Sequence, residues 1–175
     1  EEQTTARGRF GRTWIAPRGN IHLSVLLKPS FDMLPYITMI SSIGVVRAIR
    51  TVTGLMAAIK GPNDGLIGNR KASGILVESA MTGTEIHYVV VGIGVNVGID
   101  PCQLPEFPQR ATSLVAETEK PVNRVELLKH ILEEIDILYV NLLNGQSPIE
   151  EWKGLLSTLG KNIQVQWHRD VLEGY

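Results

Sequence analysis

The sequence predicts an α+β fold, a mixed β-sheet with packed helices. Three observations carry that expectation. Apolar stretches of strand character between residues 56 and 97 are joined by short turns, which disfavours a doubly wound sheet with helical crossovers. Two long segments, Asp32 to Thr53 and Asn123 to Asn144, place apolar residues at helical spacing. A chain of 175 residues that is 43% hydrophobic and 20% charged can bury one full core.

Ile21 to Lys28 is β-rich, alternates at first and runs into Pro29, as a strand would. In the first helical segment Ile37, Ile40, Ser41, Gly44, Val45, Ala48, Ile49 and Val52 share a face, and its small residues permit close packing. Gly54 suits a left-handed helix end. Met56 to Ile59 reads as a short strand leading into the polar turn Lys60-Gly61-Pro62-Asn63-Asp64-Gly65. Leu66-Ile67 and Ala72 to Ser79 read as a hairpin with Gly68-Asn69 near its tip. Glu85 to Val97 is long and largely apolar, a strand expected to be buried on both faces. Residues 98 to 110 hold three prolines and read as a loop, after which Thr112 to Ala116 begins a short helix. In the second long helix Val125, Leu128, Leu132, Ile135, Leu138, Tyr139 and Leu142 mark the expected buried stripe. Ser147-Pro148-Ile149-Glu150 has a capping-box pattern with Pro at the first helical position, and that helix runs to about Leu156. Asn162 to Trp167 alternates strictly and reads as a strand opening a new unit.

Charge and cysteine use narrow the function classes. With 17 Lys and Arg against 18 Asp and Glu, the net charge is −1, whereas dedicated nucleic-acid binders carry a positive excess. A single cysteine, Cys102, excludes an intramolecular disulfide and a Cys-rich zinc site, and suits a reducing, cytoplasmic setting. No apolar run approaches the roughly 18 residues of a membrane span, so neither a span nor a signal peptide is expected. The chain opens without Met and closes soon after a strand begins; both ends read as interrupted.

Candidate chemistry clusters in three places. Arg7-Gly8-Arg9-Phe10-Gly11-Arg12-Thr13-Trp14 interleaves three guanidinium groups with glycines that allow close backbone approach. Such a loop grips an anionic small molecule or, on composition alone, is a solvated basic segment. Lys60-Gly61-Pro62-Asn63-Asp64, with Arg70-Lys71 beyond the next turn, offers hard oxygens for a metal-bound phosphate and a cation for a carboxylate or phosphoryl group; the plain alternative is a polar turn. Val91-Gly92-Ile93-Gly94-Val95-Asn96-Val97-Gly98 mimics a dinucleotide-binding glycine pattern, but Ile99-Asp100-Pro101 follows it where that motif needs a helix. Glycines in a strand then signal close approach of a backbone or ligand, and Asn96 is left as an amide able to read a nucleobase edge. His22, His87, His130 and His168 are scattered without metal spacing. No Gly-x-Ser-x-Gly elbow is present and Cys102 has no adjacent His, so the chain is not expected to supply a nucleophile.

Taken together, Gln3 to Trp14, Lys60 to Asp64 and Arg70-Lys71-Ala72-Ser73-Gly74-Ile75-Leu76-Val77-Glu78 resemble the signatures of biotin protein ligases. Gly92 to Asn96 and Ala111-Thr112-Ser113-Leu114 fit in the same order, so the resemblance spans essentially the whole chain. It implies a catalytic domain related to class II aminoacyl-tRNA synthetases over residues 1–158, and the start of a small SH3-like barrel over 159–175. It implies that biotin and MgATP give biotinyl-5′-AMP, and that a lysine of a biotin carboxyl carrier protein then takes the biotin. By resemblance Lys71 and Arg9 are catalytic; Gln3, Arg7, Gly8, Arg9 and Lys71 meet biotin. Arg12, Trp14, Asn63, Asp64 and Asn96 meet ATP, with Asp64 on the Mg²⁺ side. No tightly bound cofactor, nucleic acid or membrane partner is implied, and association as a homodimer is left open.

The sequence also departs from the family. Ala6 and Gly61 stand where Gly and Trp are usual, Phe10 where a basic residue is frequent, and the Ser/Thr-Asn segment usual upstream is not among these residues. Two other expectations therefore stay in play: a lipoate or octanoyl transferase of the same superfamily, and a degenerate homologue that binds biotin without activating it.

Overall fold

The computed structural model describes residues 2–99, 110–167 and 170–175, without the side chains of 166 and 167. Most of the proline-rich loop expected over 98–110, with Cys102, lies outside the described residues, as does His168.

The fold is α+β. The strands β1 (Ile21–Leu27), β2 (Ala57–Lys60), β3 (Asp64–Ile67), β4 (Arg70–Thr82) and β5 (Glu85–Val95) form one sheet in the order β1-β5-β4-β3-β2, antiparallel throughout. Among the described residues parallel pairing is limited to two isolated bridges, Lys71 with Ala111 and Ile59 with Leu156, so the sheet itself is antiparallel where a mixed one was expected. The helices are α1 (Leu34–Thr53), α2 (Leu114–Thr118), α3 (Arg124–Leu143) and α4 (Ile149–Leu155). A separate hairpin, β6 (Ile163–Trp167) with β7 (Asp170–Gly174), follows.

The core sits between one face of the sheet and α1, with α3 and α4 packed on α1. By length and hydropathy the segment Phe31–Thr53 could cross a membrane; its apolar surface is taken up instead by the sheet on one side and α3 on the other. The face expected from Ile37 to Ile49 is buried, and so are Ile43 and Val46 on the opposite arc. Gly44 permits this closeness: an added Cβ would lie 2.8 Å from Ile135 Cγ1 and 3.3 Å from the Ile135 backbone nitrogen. Gly54, at φ 72°, ends α1 in the left-handed conformation as expected. Arg47 ties the helical layer together, reaching Glu134 of α3 at 2.8 Å and Glu151 of α4 at 2.7 Å.

Three expectations need correction. The buried stripe of α3 is Leu127, Ile131, Ile135, Leu138 and Leu142, while Val125 and Leu132 are exposed. The helix carries apolar residues on two arcs, and the arc facing α1 lies beside the expected one. In α4 the capping box is not closed: Pro148 occupies the cap position, Ser147 Oγ accepts from Ile149 N at 3.4 Å, and Glu150 pairs with Lys153. Strand β5 is buried on one face only. Val89, Val91, Ile93 and Val95 enter the core, whereas Gly92 and Gly94 lie on the opposite face, away from α1.

Candidate active site

That open face carries the chemistry. One rung crosses the sheet through Lys60, Asp64, Gly74, Gly94 and His22, each the cross-strand partner of the next. Alternation puts their side chains on the same side, away from α1. The two central members are glycines, and the Trp14 indole lies across them. A Cβ on Gly94 would come within 2.6 Å of Trp14 Cε2 and Cζ2, and one on Gly74 within 2.9 Å of Trp14 Cζ3. Only a glycine floor leaves room for that ring.

Lys71 reaches the same place because β4 carries an extra residue. Gly65 pairs with Ser73, but the next residue, Leu66, pairs with Lys71 and skips Ala72. Such a bulge resets the alternation, so Lys71 and Gly74 share a face although three positions apart. The Lys71 ammonium sits 2.7 Å from Asp64 Oδ1 and 5.2 Å from the centre of the Trp14 ring. Both side chains of the ion pair are partly buried, 35% and 25% exposed. The bulge is tight: a Cβ on Gly65 would fall 2.1 Å from Ser73 Oγ.

The basic N-terminal stretch folds back on itself as an irregular hairpin. Gln3 pairs with Ala16 and Arg7 with Thr13, and the tip Arg9–Gly11 is a 3-10 turn with Phe10 at φ 59° and Gly11 at φ 70°. Two side chains dock this hairpin on the sheet. Arg9 Nη1 donates to Asn63 Oδ1 at 3.1 Å, and Arg7 pairs with Glu78 of β4 at 3.0 Å. Asn63 is itself fixed, since its Nδ2 donates to the Ile75 carbonyl at 2.9 Å and its own carbonyl accepts from Ile75 N. A cleft of about 310 Å³ opens beside the tip, lined by Arg9, Phe10, Thr38, Pro62, Asn63 and Ile75 among others. Gln3, Arg7, Arg9 and Arg12 are all exposed, and Gly8 N accepts its role in the turn by donating to the Arg12 carbonyl at 2.7 Å.

Asn96 lies just past the end of β5 and is buried. Its Nδ2 donates to the Thr112 carbonyl at 3.1 Å, while its buried Oδ1 has no partner among the described residues. Lys71 is gripped at its backbone by the same neighbourhood: Lys71 N donates to the Arg110 carbonyl and Thr112 N to the Lys71 carbonyl. Glu117 of α2 accepts from the Thr112 hydroxyl and pairs with Arg70 at 2.7 Å. A larger, shallow depression of about 420 Å³, lined by Gly19, Gly98, Lys120 and Arg124, includes none of Lys71, Asp64 or Trp14.

The fold therefore brings Arg9, Trp14, Asn63, Asp64 and Lys71 together. Arg7 and Gly8 stand in the same hairpin, Asn96 lies on the far side of Lys71, and Gln3 and Arg12 point to no partner among the described contacts. For a resident metal the donor set is poor: among the described residues no three His, Cys, Asp or Glu side chains converge, and Asp64 is bonded to Lys71. A lone carboxylate suits an ion that arrives with a phosphate. The glycines of β5 were expected to mark the close approach of a backbone or ligand, and the group that approaches Gly94 is the Trp14 ring. Sequence reasoning missed the share of Gly74 in that floor and the pairing of Glu78 and Glu117, which no local pattern signals.

Comparison with known proteins settles the family. Residues 1–96 match the profile of the biotin/lipoate A/B protein ligase family. This chain belongs to that family. Among curated relatives, the bifunctional ligase/repressor BirA of Bacillus subtilis is 31% identical over 172 residues, covering 95% of this chain and 53% of the relative. A biotin–[acetyl-CoA-carboxylase] ligase of Paracoccus denitrificans is 38% identical over 104 residues, 57% of this chain and 43% of the relative. The chain thus spans about half the length of the curated relatives it matches. In three dimensions it superposes on the biotin protein ligase of Aquifex aeolicus in complex with biotin and ATP with a TM-score of 0.84, at 29% identity over 99% of this chain and 73% of that one.

Proposed function

We propose that this chain carries the catalytic part of a biotin protein ligase, which activates biotin with ATP and passes it to a lysine of a carrier protein. One observation carries the reading: Arg9 and Lys71, from remote parts of the sequence, hang on consecutive residues, Asn63 and Asp64. Two cations held a turn apart suit a reaction that forces two anions together. In the first step a biotin carboxylate oxygen attacks the α-phosphorus of ATP and pyrophosphate leaves. In the second, an unprotonated lysine amine of the carrier attacks the acyl carbon, AMP leaves, and the amine's proton passes to solvent. Both nucleophiles come with substrates.

Position and the family resemblance together support the following roles. Lys71 and Arg9 would neutralise the carboxylate and α-phosphate, where fixed cations out of bulk water lower the barrier most. Gln3, Arg7 and Gly8 belong to the hairpin that would close over biotin and shield the mixed anhydride from water. Trp14 supplies an apolar wall; Arg12, Asn63 and Asp64 face the phosphates, with magnesium entering as part of the nucleotide. Asn96 would accept from the adenine amine through its unpartnered Oδ1. The fit with substrate is an exchange of partners, since Arg7, Arg9 and Lys71 are each held by a protein oxygen that an anion would replace. We place this reaction in the cytoplasm, and assign residues after 158 to a small SH3-like unit opened by β6 and β7.

The test is biotin-dependent exchange of labelled pyrophosphate into ATP, followed by label transfer from biotin to an apo carrier domain. Exchange and transfer with biotin are expected. Equal transfer with lipoate would move the chain to the lipoate branch of the family, and biotin binding without exchange would make it a binding protein.

A further inference from the structure

Among the described residues two buried ring nitrogens on the open face have no hydrogen-bond partner: Trp14 Nε1 and His22 Nε2. Leaving both unmatched is costly, because a buried polar group without a partner forfeits its hydration. Their positions relate them. The Trp14 benzene edge, Cζ3 and Cη2, lies over Gly74, while Cε2 and Nε1 lie over Gly94, with Nε1 2.8 Å from a Gly94 Cβ position. The indole axis thus runs from β4 across β5, and its nitrogen end points on toward β1. The residue of β1 opposite Gly94 is His22, on the same face. Cross-strand Cβ atoms stand about 4.5–5.5 Å apart, so one water is enough to link the two nitrogens across the rung.

The chemistry is complementary as well. Burial holds the His22 imidazole below its ordinary pKa, outweighing the neighbouring Pro17 carbonyl, which favours the charged form. A neutral ring protonated on Nδ1 keeps a lone pair on Nε2, and an indole N–H is a donor only. Donor and acceptor match.

We infer that His22 is a positioning residue: its Nε2 accepts from Trp14 Nε1–H through one buried water, and holds the indole flat on the Gly74–Gly94 floor. The indole face in turn fixes the Lys71 ammonium, 5.2 Å from the ring centre, beside Asp64. His22 touches no substrate and acts on the reaction through Trp14 alone. The catalytic half of this inference rests on the ligase reading above; the structural half does not.

The test separates the two halves. In ¹⁵N-labelled protein the indole N–H resonance of Trp14 is assigned by its loss in Trp14→Phe, since the chain has three tryptophans. His22→Phe keeps an aromatic ring but removes the acceptor, whereas His22→Gln restores one. The Trp14 N–H signal is expected to move upfield and exchange faster with solvent in His22→Phe and to return toward its native position in His22→Gln. Biotin-dependent pyrophosphate exchange is expected to lose about three- to tenfold in kcat in His22→Phe, the worth of one hydrogen bond, with recovery in His22→Gln. An unchanged Trp14 resonance in His22→Phe, or identical behaviour of the two variants, would overturn the inference. Because the resonance is read on the free protein, an inactive wild type would refute the ligase reading while leaving the His22–Trp14 bond decidable.

Discussion

The two faces of the sheet are written by the same strands and differ in what they spend their side chains on. Toward α1, β1, β4 and β5 present Ile21, Ile75, Val91, Ile93 and Val95, all buried. Away from it the same strands present His22, Gly74, Gly92 and Gly94, and the space left by Gly74 and Gly94 is filled by Trp14 from a distant segment. The first face stores stability in branched, closely packed side chains. The second gives that up to seat a ring, an ammonium and a carboxylate in fixed positions. Neighbouring residues such as Ile93 and Gly94 therefore answer to different demands, and substitutions should separate them.

The largest effect is expected on the open face. Lys71→Ala should lower biotin-dependent pyrophosphate exchange by about 10²–10³-fold, the usual cost of removing one group that stabilises developing charge, with the thermal midpoint barely moved because the side chain is partly exposed. Retention of full exchange would remove Lys71 from the mechanism. Next comes the closed face: Ile93→Ala should cost about 2–5 kcal/mol in urea unfolding, the transfer and cavity terms of a buried isoleucine, while the molecules that remain folded keep their turnover number. Smaller again is Gly94→Ala. Its methyl must push the indole off the floor, an overpacking cost of about 1–3 kcal/mol, with loss of exchange out of proportion to that cost. A variant as active as the parent would show that the indole position is irrelevant.

Two weak effects sharpen the contrast. Arg7→Ala breaks an exposed ion pair with Glu78, so stability should change by no more than about 1 kcal/mol; a larger loss in denaturation would mean that the hairpin is part of the core. His22 has its pKa lowered in the folded state, chiefly by burial. Its contribution to stability is therefore fully present above the ordinary value of 6.5 and fades as pH falls through the lower folded value. His22→Gln should flatten that part of the stability–pH curve, and an unchanged curve would assign the acid sensitivity elsewhere.

Much of this was legible in the chain, and the failures have physical causes. The α+β order, both long helices, the Gly54 cap and the hairpin at Gly68-Asn69 follow from local periodicity and turn chemistry, which the strands and helices obey. The clustering of the basic stretch with Asn63, Asp64 and Lys71 was expected from the resemblance to biotin protein ligases. What local pattern could not reveal was Lys71's direction: by simple alternation it faces away from Gly74, and only the skipped residue Ala72 turns it round. The reading of β5 as buried on both faces failed because glycine counts as apolar yet fills no space. In α3 two apolar arcs fit a helical period equally well, and the choice belongs to α1, far away in sequence. Gly61, where a tryptophan is usual, also looks different in three dimensions. A Cβ there would meet Leu156 and Trp152 no closer than 3.5 Å, so Trp152 of α4 already supplies an apolar support under this turn.

The central claim is that the basic hairpin and Lys71 act on one anionic pocket. Its most direct measurement is the rate of trypsin cleavage within Arg7 to Arg12, with and without biotin plus ATP, in the parent protein and in Lys71→Ala. Protection that needs both ligands and disappears in Lys71→Ala is the predicted result. Cleavage at the same rate under all conditions, or protection that survives the loss of Lys71 undiminished, would contradict it.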